Sequence, residues 1–225
     1  MEQGFFITGT DTGVGKTLVA SALLHAYAAT GKKVIGMKPV AAGCEIAGQM
    51  RCEDVEALQA ASTVQAPFSL VNPYAFAAPV APHIAAAQAG VVIDLERIHA
   101  ALLELGRLAQ IVIVEGVGGF KVPLNAREDS ADLAVKLGLP VILVVGMRLG
   151  CLNHALLTQA AIAASGLPVA GWVANRIDPA MLLFAENLQA LQERLDCPLL
   201  GVLPWQTKPG AEIVAPLLEI SRLEV

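Results

Sequence analysis

The chain has 225 residues, 55% of them hydrophobic and 16% charged, with a formal net charge of -5. Typical soluble domains carry about 25% charged residues, so this surplus of apolar side chains excludes a disordered chain. The acidic balance gives no general pull towards nucleic acid or anionic lipid, and neither partner is expected.

In chain order, Phe5-Phe6-Ile7 predicts a strand that runs into a glycine-rich turn. Thr17 to Thr30 then reads as a helix stopped by Gly31, and Val34 to Met37 as a second strand closed by Pro39. Asp94 stands at an N-cap position before a helix through Leu108, with Leu95, Ile98, Leu102 and Leu105 on one face. Ile111 to Val114 and Val141 to Val145 are buried strands, Asn153 to Ser165 a helix and Val169 to Ala174 another strand. Pro179 is expected to start a helix running to Leu195, and Leu199 to Leu203 is the last strand. Continuous apolar strands separated by helices indicate a parallel sheet covered on both faces. The expected fold is α/β: a single doubly wound, mostly parallel sheet with helices on both faces, over residues 1 to 225. No spanning helix is expected, because the charge-free run 57–93 is broken by Pro67, Pro73, Pro79 and Pro82, and the run 149–175 by polar residues. The residues Met1 to Gly4 lack the basic and apolar pattern of a secretory leader. Cys44, Cys52, Cys151 and Cys197 form no CxxC pair, so four reduced packing thiols in a cytoplasmic protein are expected. His25, His83, His99 and His154 share no metal-site spacing.

In open α/β sheets ligands sit at the carboxyl ends of strands, so chemistry is sought there. After the first strand comes Gly9-Thr10-Asp11-Thr12-Gly13-Val14-Gly15-Lys16-Thr17. The common phosphate loop is G-x-x-x-x-G-K-[ST]; here five residues rather than four separate Gly9 from Gly15. The context still fits, because successive backbone N–H groups and a helix N-terminus favour an anion. Lys16 would reach the outer phosphates and the Thr17 hydroxyl would ligate Mg²⁺. A dinucleotide fingerprint fails, because Leu18 stands where its third glycine is needed.

Lys38 follows the second strand and would point into the same crevice, unless it is a solvated strand end. Glu115 closes a fully apolar strand, where a carboxylate needs a cation. Asp54 would be a second carboxylate for Mg²⁺ or, equally, a helix cap. Asn175 ends a strand and carries the donor and acceptor that complement adenine, or it is a turn residue before Arg176. The segment Leu149 to His154 opens a helix whose free N–H groups could hold a carboxylate.

On these segments, together with Lys38-Pro39-Val40, Asn72-Pro73-Tyr74, Pro82-His83-Ile84, Glu115 to Gly119, Gly171 to Asn175 and Leu203-Pro204-Trp205, the chain closely resembles the dethiobiotin synthetases. The resemblance spans nearly the whole chain, and the longer loop is itself a trait of that family. It implies ring closure of 7,8-diaminononanoate with CO₂, through a carbamate that takes the γ-phosphoryl of ATP. It further implies that Thr12, Lys16 and Lys38 neutralise phosphates, and that Thr17, Asp54 and Glu115 serve Mg²⁺. Gly13, Val14, Gly15, Leu18, Gly116, Val117 and Gly118 would complete the nucleotide cradle. Asn175 and Arg176 would lie near the base, with Pro204, Trp205 and Gln206 lining it. Ala42 stands where the family often has a substrate-binding serine. Gly150, Cys151, Leu152 and Asn153 would reach the substrate carboxylate across a homodimer. Glu212 is the candidate ribose-binding acid. The rival reading is a P-loop regulatory ATPase of the partitioning type. A small kinase would need an arginine-rich lid, and only Arg127 lies near Glu115.

Overall fold

The computed structural model describes residues 1–46, 50–208 and 210–223. In chain order the elements are β1 (Gln3–Gly9), α1 (Lys16–Ala29), β2 (Val34–Met37), β3 (Val40–Ala42), β4 (Glu45–Ile46), β5 (Met50–Arg51), α2 (Glu53–Ala61) and α3 (Phe68–Val71). They continue as β6 (Tyr74–Phe76), α4 (Pro82–Gln88), α5 (Leu95–Leu108), β7 (Ile111–Glu115), α6 (Ser130–Leu137), β8 (Val141–Met147) and α7 (Cys151–Ala164). The last are β9 (Val169–Arg176), α8 (Phe184–Gln192), β10 (Leu199–Leu203) and α9 (Ala211–Val214).

Six strands form one sheet in the order β10-β9-β8-β1-β7-β2, and every pair in it is parallel. All seven residues of β8 and all five of β7 are buried. That follows from covering both faces, which removes any reason for polar alternation. Phe5, Ile7, Ile113, Ile142 and Val144 pack with α1 on one face, against Val19, Leu23 and Leu24. Phe6, Val112 and Val114 point the other way, into α5 and α6 through Ile98, Leu102, Leu105 and Leu133. Trp172, Leu143 and Val145 meet α7 and α8 further along the same sheet. Since β1 lies between β7 and β8, with α1 returning to β2 beyond β7, the chain reverses direction across the sheet at β1. The crevice outside the carboxyl end of β1 is the place where such sheets take ligands.

Asp94 caps α5 as its sequence suggests, its side chain accepting from the Glu96 N–H. The helix expected from Pro179 starts instead at Phe184. The carbonyls of Asp178 and Pro179 accept from the Arg176 guanidinium, and Asp178 Oδ1 accepts from the Ala180 N–H, which holds residues 178–180 in a turn. The expectation of four reduced thiols is also corrected. Cys44 and Cys52 form a disulfide, with Cα atoms 4.5 Å apart, and only Cys151 and Cys197 are free. The crosslink joins the end of β3 to the N-cap of α2, a proximity that the eight-residue separation does not announce. Burial and the neighbouring Asp196 push the Cys197 thiol up to about 11, which leaves it unreactive. Among the described residues, no helix is long and apolar enough to cross a membrane.

Candidate nucleotide-binding active site

The loop between β1 and α1 turns at Gly13 (φ 75°) and Gly15 (φ 92°), backbone positions that L side chains rarely adopt. A Cβ at Gly15 would also lie 2.2 Å from the Asn175 amide nitrogen. Gly15 is the N-cap of α1 and offers no capping side chain, so the first N–H groups of the helix remain for an anion. Val14 is buried, its side chain packed against Gly9 and Gly146. Asp11 braces the loop from inside: Oδ1 accepts from the Thr12 N–H and its carbonyl from Lys16 Nζ at 2.9 Å. Arg148, at the end of β8, holds the other carboxylate oxygen at 2.7 Å. Neither Asp11 nor Arg148 stood out in the sequence, since the pair forms only when β8 lies beside β1.

Thr17 is the hub. Its hydroxyl lies 3.0 Å from Asp54 Oδ1 and 2.8 Å from Glu115 Oε1. Lys38, at the end of β2, closes the cluster, with Nζ 2.6 Å from Glu115 and 2.8 Å from Asp54. Asp54 is the second residue of α2 and Cys52 is its N-cap, so the capping alternative for Asp54 is set aside. Burial alone would lower the Lys38 pKa, but the two carboxylates outweigh it and the ammonium is held above its usual value. Burial likewise opposes ionisation of Asp54, yet Lys38 and Thr17 bring its carboxyl below the usual range. Burial wins at Glu115 and holds its carboxyl above the usual value despite Lys38. Burial and the Lys38 charge push Lys16 down to about 8.

These groups line one cleft of about 800 Å³ at the carboxyl edge of the sheet. Thr12, Gly13, Gly15, Lys16 and Thr17 line it, together with Lys38, Asp54 and Glu115. Val117 and Gly118 line it as well, and Ala42 contributes a methyl group. Gly116 follows Glu115 with its N–H on the Ile7 carbonyl, and its own carbonyl accepts from Lys38 Nζ at 3.3 Å. Pro79, Val80, Ala81 and Val122 add an apolar wall that sequence reasoning missed. For Pro79, Val80 and Ala81 the available signal was the Pro- and Ala-rich, charge-free run around them; Val122, next to Lys121, lies outside that run.

Other predicted residues lie outside this cleft. Asn175 is buried and donates to the Val14 carbonyl at 2.8 Å, so it ties β9 to the phosphate loop. Arg176 turns away, its guanidinium 5.0 Å from the Phe184 ring centroid. Leu18, in the first turn of α1, is partly buried and packs against the core. Pro204 and Gln206 flank the half-exposed Trp205 just after β10, and Glu212 is exposed in α9. Gly150 (φ 95°) is the N-cap of α7, which Cys151, Leu152 and Asn153 begin.

Comparison with known proteins bears on the same residues. A family model described as an AAA domain matches residues 3–212. The ATP-dependent dethiobiotin synthetase BioD of Nitrosospira multiformis is 60% identical over 223 residues, which is 99% of this chain and 97% of the relative. The protein of the same name from Aromatoleum aromaticum is 62% identical over 203 residues, 90% of each chain. Among solved structures, the septum site-determining protein MinD from Pyrococcus horikoshii, complexed with Mg-ADP, aligns over 99% of this chain and 89% of its own. Its TM-score is 0.58 at 16% identity, a likeness of fold alone. The MinC:MinD complex of Aquifex aeolicus gives 0.56 at 18% identity, over 97% of this chain and 87% of that one.

Proposed function

The chain belongs to the ATP-dependent dethiobiotin synthetases, and we propose that it closes a ureido ring from 7,8-diaminononanoate and CO₂ at the cleft of Lys16, Lys38, Thr17, Asp54 and Glu115. The observation that carries this reading is the convergence of two buried lysines, a hydroxyl and two carboxylates beside the β1–α1 turn. A triphosphate fits that turn because its N–H groups and helix N-terminus favour anions.

Thr17, Asp54 and Glu115 would hold Mg²⁺. Glu115 Oε2 is buried with no hydrogen-bond partner among the described residues, and three hard oxygens suit this ion when phosphate oxygens and waters complete its shell. Bound there, the metal would neutralise charge on the outer phosphates. Lys16 and Lys38 would stabilise the charge that develops on the transferring phosphoryl, a reaction that depends mainly on positioning and electrostatics. The carbamate oxygen attacks the γ-phosphorus and ADP leaves. The second amine then attacks the carbonyl of the mixed anhydride, closes the ring and expels phosphate. An alkyl amine has a pKa of about 10.4 and must be neutral to attack. As ammonium groups, Lys16 and Lys38 would lower the amine pKa by like-charge repulsion. The apolar wall of Pro79, Val80, Ala81, Val117 and Val122 suits the aliphatic chain of the diamine. In the same reading Asn175 and Trp205 serve the base. A second copy of the chain brings residues 150–153 to the substrate carboxylate, and the exposed Leu149 and Leu157 support packing there. A cytoplasmic location is part of this reading.

The test is ADP release with ATP, Mg²⁺ and bicarbonate, with and without the diamine. Diamine-dependent ADP and a ring-closed product are expected. ADP formed at the same rate without the diamine would favour a regulatory ATPase instead.

A further inference from the structure

Two X-Pro bonds lie side by side where β2 ends, Lys38-Pro39 and Asn72-Pro73. In the short sheet of β3 and β6, Val40 pairs with Tyr74 in parallel, so two residues earlier Lys38 faces Asn72. The Lys38 N–H donates to the Val71 carbonyl at 2.8 Å. In a regular parallel pair, a residue bonded in that way offers its own carbonyl to the N–H of residue 73. Residue 73 is proline and has no N–H to give.

The Asn72 side chain supplies the missing donor. Its Nδ2 donates to the Lys38 carbonyl at 2.5 Å and to the Tyr74 carbonyl at 3.1 Å. Asn72 is 3% exposed, so water cannot take over that carbonyl if the amide is removed. The bonded peptide is the one from which the Lys38 side chain departs towards Glu115 and Asp54. We propose that Asn72 is a positioning residue for Lys38, its side-chain amide standing in for the N–H that Pro73 lacks and fixing the main chain behind the phosphate-directed ammonium. This rests on the phosphate role given to Lys38 above.

The test compares Lys38→Gln, Asn72→Ala, the two combined, and Asn72→Ala with Pro73→Ala, by diamine-dependent ADP release and thermal unfolding. Misplacement of a catalytic group by about 1 Å can cost about 100-fold, so Asn72→Ala should lower kcat by about 10- to 100-fold with the KM for ATP little changed. In the Lys38→Gln background the same substitution should add almost nothing. Pro73→Ala should restore most of the lost turnover, because the backbone then carries the donor. An equal loss in both backgrounds, or no recovery with Pro73→Ala, would overturn the assignment. So would failure of the Asn72→Ala/Pro73→Ala protein to fold, since Asn72 would then be holding the sheet rather than Lys38. If Lys38→Gln itself turns over normally, the phosphate role of Lys38 is the part that fails.

Discussion

Replacing Lys38 with glutamine tests the centre of the site. The Lys38 ammonium is the counter-ion of two carboxylates, at 2.6 and 2.8 Å, and its side chain is 4% exposed. Glutamine keeps most of the volume and removes the charge, which leaves Glu115 buried without a cation. Breaking a buried pair by removing one partner costs about 3–5 kcal/mol. In turnover, loss of one preorganised group that stabilises developing charge costs about 10²–10³-fold. The stability loss should also depend on pH. Burial already holds the Glu115 carboxyl above its ordinary 4.5, partly offset by Lys38, and the variant removes that offset. A carboxyl whose folded pKa is raised adds stability below its unfolded pKa and loses it as pH rises through the folded value. The deficit of the variant should therefore be smallest near that ordinary value and grow as pH rises above it. Urea unfolding in the presence of a chelator measures the deficit, and the diamine-dependent ADP assay measures turnover. A deficit that does not grow with pH, or turnover equal to that of the parent, would refute the reasoning.

Asn175→Asp should weaken ATP relative to GTP in competition binding, because a carboxylate cannot donate to the base or to the Val14 carbonyl; an unchanged preference removes Asn175 from base recognition. Cys44→Ser opens a crosslink between residues eight apart, which the chain-entropy relation values at about 2.5 kcal/mol, so its urea midpoint should fall below that of the oxidised parent and match the reduced one. Asp129→Ala removes the capping box of α6, worth about 1 kcal/mol near neutral pH. Partial burial opposes its ionisation, but Lys121 and two backbone N–H groups outweigh this and hold the Asp129 carboxyl below its ordinary 3.8. That stability is present above the ordinary value and lost as pH falls through the folded one, so parent and variant should converge in acid, as read by unfolding curves.

The main strands were legible because burial on both faces writes them as unbroken apolar runs; Leu199 to Leu203 is found with the bounds the sequence suggests. The short strands Val40–Ala42 and Tyr74–Phe76 were not, since three residues carry no period and each exists only through its partner. The start of α8 was misplaced for a related reason. Proline suits the first turn of a helix, but the Arg176 guanidinium claims the 178 and 179 carbonyls first. At the site, Lys16 and Thr17 could be read from the glycine-rich turn that opens α1, and Lys38 and Glu115 because they stand at the carboxyl ends of β2 and β7. Asp54 was half legible, because it sits on α2 and its partners Thr17 and Lys38 arrive from α1 and the end of β2. The disulfide, the Asp11–Arg148 pair and the Asn72 amide were not legible at all. Each joins segments that only the fold brings together.

The scarcity of charge in the sequence takes on a sharper meaning once burial is known. Among the described residues, the charged side chains that are buried are Lys16, Lys38 and Glu115, and all three face the same cleft. A buried ion pair is weak support for a fold, because apolar residues of similar volume often serve stability as well or better. The rest of this interior follows that preference: the centre of the sheet is Ile, Val, Leu, Phe and Trp. Stability therefore does not account for keeping these three charges, and the desolvation they suffer shows in the depressed pKa of Lys16 and the raised one of Glu115. Their placement is accounted for by a ligand that brings its own charge to the cleft. On the proposed reading, the two ammonium groups would face its phosphates, and Glu115, with Asp54 and Thr17, would face the cation that travels with them.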